Sequence, residues 1–236
     1  MKAPTGCLRP IAVNQSIAPT RKARDHTAGL ILIFSALVSL IVLAHHPVIR
    51  ARETGELFAE MAKKAFADRI VHGALIMLVI VQLFAFCRFA RRQNIERTPV
   101  LLGLIFYSLG TVAMIGAALI DGFFLPEITA SYLHTSQASA DAGFALLRFC
   151  SIAIQLFTKS SVIAISMAIL LWSFSFVRAG RASLLAGFIG VAAVLSQAYI
   201  LVLGGSIITA HTILFVAAPQ MFWYIGVGLL LVGGEL

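Results

Sequence analysis

The chain has 236 residues, 60% of them hydrophobic and only 12% charged, with 18 Lys and Arg against 10 Asp and Glu for a formal charge of +8. A soluble domain carries about a quarter charged residues, and here the apolar residues are gathered into runs long enough to cross a bilayer. The positive balance does not point to nucleic acid, because the basic residues sit between those runs, where membrane topology accounts for them.

In chain order, residues 1–27 read as a flexible basic cytoplasmic tail. Pro4, Pro10 and Pro19 oppose regular structure there. The first apolar run, Ala28–Ala44, is short for a span. With its basic leader and Val42-Leu43-Ala44 it also fits a signal peptide, although the leader is long for one; a mostly acid-free basic tail also fits a mitochondrial presequence. His45 and His46 close this run.

The next stretch, Glu53 to Arg69, places Leu57, Met61, Ala65 and Asp68 near one helical face, with Phe58, Ala62 and Phe66 close by. It predicts an amphipathic helix in the first outer loop, lying on the membrane surface or capping the bundle. Asp68 and His72 are four residues apart, which puts both on one face where the second span, Ile70–Phe89, begins. Arg88, Arg91, Arg92 and Arg97 follow that span.

The third run is Val100–Leu125. Pro99 suits a helix start, Pro126 is expected to end the span, and Asp121 lies near its end. Gly122 to Ala145 forms a second, longer outer loop carrying Glu127 and His134, with residues 131–142 irregular or a short helix. The fourth run, Leu146–Val177, holds Gln155 and Lys159. Arg178 and Arg181 precede the fifth, Leu184–Leu203, which holds Gln197. His211 opens the sixth, Thr212–Val232, which holds Gln220 beside Pro219. Gly103, Gly110, Gly116, Gly187 and Gly190 suit close helix packing.

A bilayer core about 30 Å thick needs roughly 20 apolar residues as helix, and lipid cannot satisfy an open backbone. The expected fold is therefore all-α: a polytopic membrane bundle of about six transmembrane helices, forming a single domain over 28–236. The basic tail, the 88–97 loop and the 178–181 loop place both termini in the cytoplasm of a plasma membrane of the bacterial inner-membrane kind. The basic residues of the first outer loop weaken that orientation.

With this topology, polar side chains gather in the outer half of the bundle, and the candidate sites follow from that. Asp121, Gln155, Lys159, Gln197 and Gln220 form a candidate ligand site, with Lys159 or Arg148 as the natural counter-charge of a buried Asp121. His45, His46, Asp68, His72 and His211 are candidate metal ligands, since imidazole binds zinc, copper and haem iron. His72 and His211 could instead hold haem b across spans two and six. Each has a plainer explanation: an interfacial histidine, a surface ion pair, a snorkelling lysine or glutamine hydrogen bonds between helices.

Three functions stay open. One is an outward-facing polar pocket binding a small ligand or ion, for transport or sensing. The second is a metal- or haem-binding membrane protein. The third is a non-catalytic subunit or assembly factor, with Trp172 and Trp223 as helix contacts or interfacial anchors. Partners would be the lipid bilayer, a small ligand and, for the third, another membrane protein. Cys7, Cys87 and Cys150 lack any paired spacing, and no nucleotide loop or nucleophile motif is present, so an enzyme is not favoured.

Overall fold

The computed structural model of the protein describes residues 24–47, 54–132, 137–176, 181–203 and 210–235. The tail through residue 23, with Cys7, lies outside the described residues, as do Arg50, Arg178 and His134, and the side chain of His211 is likewise outside them.

Every regular element among the described residues is a helix. The elements are α1 (His26–Ala44), α2 (Thr54–Arg92), α3 (Thr98–Leu119), α4 (Leu125–Tyr132), α5 (Gln137–Phe176), α6 (Arg181–Leu203) and α7 (Ala210–Gly233), with a π-helical turn, Ile120–Phe124, joining α3 to α4. Six of the helical stretches are long and apolar enough to cross a membrane. Each long helix packs beside its predecessor, and α1 returns against α7, so the helices close a ring in chain order. Phe34, Val112, Phe149, Leu195 and Phe215 are more than half exposed on the outside of the ring, whereas Ser39, Gln82, Thr111, Thr158 and Gln197 are buried within it. Apolar outside and polar inside is the distribution a lipid solvent selects, and it fits a multi-pass membrane protein.

Four boundaries differ from expectation. The helix α1 starts at His26 because Asp25 caps it: its carboxylate accepts the Ala28 N–H at 3.1 Å. The amphipathic segment is no separate helix. It is the first part of α2, which runs unbroken for 39 residues, about 58 Å at 1.5 Å per residue. Helical hydrogen bonding does not stop where hydropathy falls. Part of its apolar face caps the bundle: Phe58, with Leu57 and Met61 beside it, packs on Leu125, Ile128, Leu147 and Cys150 of α4 and α5, while Phe66 stays exposed. The helix α5 likewise begins ahead of the expected span, at Gln137.

Pro126 does not end the third span. It falls in the first turn of α4, where a missing N–H costs least, and the preceding π turn, closed by Leu125 N–H to the Ile120 carbonyl, carries the helix into it.

Opposite this capping cluster, at the end that carries Arg88 and Arg92, the ring is filled by aromatic side chains. Phe86, Phe89, Tyr107, Trp172, Phe176, Trp223 and Tyr224 are all buried in one cluster. Phe86, Trp172 and Trp223 lie nearly parallel, with centroids 5.1, 5.8 and 6.2 Å apart. The two tryptophans are therefore core residues and not interfacial anchors, and the Trp172 indole donates to the Val100 carbonyl at 3.2 Å. Glycines admit them: a Cβ on Gly103 would lie 2.5 Å from Trp172 Nε1, and one on Gly190 would lie 2.6 Å from Trp223 Nε1.

At the rim, Arg88 Nε donates to Asp25 Oδ2 at 2.8 Å. Burial alone would raise the Asp25 carboxyl. The hydrogen bonds from Arg88 and the Ala28 N–H, with the charges of Arg88 and Arg92, outweigh it and hold the group below its ordinary range.

Candidate functional site

The candidate site lies in the other half of the ring, about 21 Å along α2 from Phe86 if counted at 1.5 Å per residue. Three segments bring it together. Where α1 ends, His45 and His46 diverge, because successive residues point in different directions. His45 is exposed, with Nδ1 turned back to the Ile41 carbonyl at 2.8 Å. His46 turns inward, and its ring meets that of His72 edge to face at 5.0 Å. The segment α2 supplies Asp68 and, one turn on, His72, which is only 4% exposed. The π turn supplies Asp121 and Gly122.

His72 is the hub. Its Nδ1 lies 2.9 Å from the Asp68 carbonyl and 3.3 Å from Asp68 Oδ1. A carbonyl only accepts, so Nδ1 carries the proton. On the other side, Nε2 lies 3.2 Å from Asp121 Oδ2 and 3.3 Å from His46 Nε2. The same logic applies to His46, whose Nδ1 donates to the Pro47 carbonyl at 2.9 Å. Gly122 makes the crossing possible: a Cβ there would stand 2.2 Å from His72 Cβ and 2.5 Å from Cγ. Outside this corner Arg69 pairs with Glu127, tying α2 to α4.

Beneath His46, His72 and Asp121 lies a cavity of about 180 Å³. Leu75, Ile76 and Val79 of α2 with Met114, Ile115 and Val162 give it mostly apolar walls, and Ser39, Thr111, Gln155 and Thr158 add polar points. Its floor is Gln82, Tyr107, Gln220 and Tyr224, the upper surface of the aromatic cluster. From there a hydrogen-bonded chain links α7, α6 and α5. Ser166 donates to Gln197 Oε1, Gln197 Nε2 donates to Gln220 Oε1 at 3.0 Å and to the Val216 carbonyl at 3.1 Å, and Gln220 Nε2 donates to the Tyr224 hydroxyl at 2.6 Å.

The residues expected to form a ligand site are thus partly reunited. Asp121, Gln155 and Gln220 line the cavity, and Gln197 braces Gln220 from behind. Lys159 is half-buried on α5 and is not among the lining residues. The group facing Asp121 is His72, whose Nε2 lies 3.2 Å from Oδ2, rather than Lys159 or Arg148, and Arg148 is exposed. Of the expected metal ligands, His46, Asp68 and His72 bring ligand atoms within 4.8 Å of one another; His45 does not join them.

Sequence reasoning missed Gly122 and the floor pair Tyr107 and Tyr224. The run Asp121-Gly122 before Phe-Phe-Leu-Pro was the available signal for the first. Comparison of the chain with protein families, with curated proteins and with solved structures finds no match.

Proposed function

We propose that the chain is a multi-pass membrane protein whose cavity is a binding chamber for a small ligand or ion, entered from the His72 end and serving transport or sensing. One observation carries this reading: a cavity at the centre of the helix ring, with ionisable groups at one end and a packed aromatic floor at the other. Ligand sites are mostly apolar hollows with a few convergent polar groups, and polar groups within membrane helices are costly enough to mark function. The arginine-bearing end would face the cytoplasm, with both termini inside, in a bacterial inner membrane. The chamber would then open outward. Full transport would require the aromatic floor to move; sensing would not. A haem is less well suited, since His72 Nε2 already faces His46 Nε2 at 3.3 Å, which leaves no space for a porphyrin plane on that nitrogen.

The test is thiol accessibility in a variant with Cys7, Cys87 and Cys150 replaced by alanine. Ala118 lines the cavity and Ala168 lies in the aromatic cluster. Ala118→Cys should react with a small charged methanethiosulfonate added from the His72 side of sealed proteoliposomes, and Ala168→Cys should not. An unreactive Ala118→Cys, or equal reactivity at both positions, would refute the chamber.

A further inference from the structure

Building on that chamber, we infer that its mouth is a seat for one divalent transition-metal ion of the zinc type, held by His46 Nε2, His72 Nε2 and the Asp121 carboxylate.

The proton positions come first. Both Nδ1 atoms face backbone carbonyls, His46 toward Pro47 and His72 toward Asp68, so each neutral ring keeps its lone pair on Nε2. The two lone pairs face each other. A metal-ligating histidine characteristically donates its other N–H to a carbonyl or carboxylate, which fixes the ring and its tautomer. His72 has both kinds of acceptor on Nδ1, since Asp68 Oδ1 adds to its own carbonyl at 3.3 Å. Asp68 is therefore a positioning residue, although its carboxylate is close enough to His46 and His72 to be counted with them.

The spacing suits a shared ion. His72 Nε2 stands 3.3 Å from His46 Nε2 and 3.2 Å from Asp121 Oδ2, within hydrogen-bond reach and also near the roughly 3.3–3.4 Å between neighbouring ligand atoms that tetrahedral metal bonds of about 2.0–2.1 Å produce. Two imidazoles and one carboxylate are a borderline donor set, which suits zinc and its neighbours and not calcium or magnesium. The fourth position would face the chamber.

The corner is also built to hold this shape. The donors come from the end of α1, from α2 and from the π turn, and π turns inside helices are frequent at functional sites. Gly122 gives the room in which His72 sits. Asp121 keeps about a third of its side chain exposed, so an ion has a route in.

The experiment uses the full chain in mild detergent, stripped with chelator and titrated calorimetrically with Zn2+, with Co2+ as the optical probe. One ion per chain should bind, and Co2+ should give the visible absorption of tetrahedral coordination. His46→Ala should weaken binding about 100-fold or more and abolish that absorption, and Asp121→Asn should do nearly as much. Asp68→Asn should cost about tenfold, as the loss of an orienting partner does. His45→Ala, which removes an exposed histidine outside the cluster, should change nothing. His46 lies beyond the end of α1, so its variant tests the site even where His72→Ala fails to fold. No stoichiometric Zn2+, or binding that survives His46→Ala, overturns the metal seat. If Ala118→Cys still reacts in that event, the chamber stands without its metal; if Ala118→Cys is also inert, both are lost.

Discussion

The two ends of the ring are made by the same helices from opposite materials. At the Trp172 end, seven aromatic side chains fill the space between helices, and glycines at 103 and 190 let the indoles approach the backbone closely. At the His72 end, the helices enclose a cavity whose mostly apolar walls carry a few charged or hydrogen-bonding groups, His46, His72 and Asp121 among them. Within a membrane, helices gain little from hydrophobic association, because lipid is as apolar as the core; packing and interhelical hydrogen bonds hold them. One end is held mainly by packing and the other mainly by polar contacts. The packed end therefore should carry most of the stability, and the polar end is free to carry function.

The largest effect should come from breaking the packed end. Trp172 is fully buried against Phe86, Phe89, Tyr107 and Trp223. Trp172→Ala leaves a cavity that the rigid helices cannot close, and should cost about 3–5 kcal/mol, seen as a large fall in the thermal midpoint in detergent. Trp223→Phe sharpens the point. The Trp223 indole nitrogen is buried without a hydrogen-bond partner, so the phenyl ring should retain much of the packing while removing an unsatisfied donor, and the loss should be far smaller than at Trp172. Equal losses at the two positions would mean that ring packing is not what holds this end.

At the polar end the corresponding change is Gly122→Ala. A methyl group there would occupy the space of His72 Cβ and Cγ. The helices must part by a fraction of their contact distance, at about 1–3 kcal/mol. The more telling readout is that Zn2+ binding should fall with it, while Trp172→Ala variants that remain folded should still bind. A Gly122→Ala protein with unchanged binding would show that the π turn does not position His72.

Much of this was legible in the letters, and the remainder has physical causes. The six spans follow from apolar runs near 20 residues, and the Asp68–His72 pair follows from helical spacing. The lopsided placement of polar side chains was visible once the spans were drawn. The choice between His45 and His46 was not, because one residue turns a side chain by about 100° and both stand where α1 stops. The partner of Asp121 was not legible: Lys159 and Arg148 were the opposite charges on offer, and only the packing of α2 against the π turn brings His72 to it instead. The continuity of α2 was hidden because its first part is amphipathic, and the change in hydropathy at Ile70 reads as a break between two helices. The aromatic cluster draws on α2, α3, α5 and α7 at once, and no single segment announces it.

The smallest effect belongs to the rim of the packed end, and pH reads it. Asp25 caps α1 and accepts from Arg88, and its carboxyl is held below its ordinary range despite burial. A carboxyl depressed in the folded state contributes stability that is fully present above its unfolded pKa, about 3.9, and that is lost as pH falls through the lower folded value. The thermal midpoint should therefore decline below about pH 4, in part through this one group. Asp25→Ala should remove the cap and the pair together. At neutral pH that costs on the order of 1 kcal/mol for the cap, with little more from Arg88, whose side chain is 47% exposed and so screened by solvent. The variant and the parent should then converge on acidification, because the parent loses by protonation what the variant already lacks. A difference that stays constant from pH 7 to pH 3 would mean that Asp25 acts through packing, and that the rim, like the aromatic cluster behind it, owes nothing to charge.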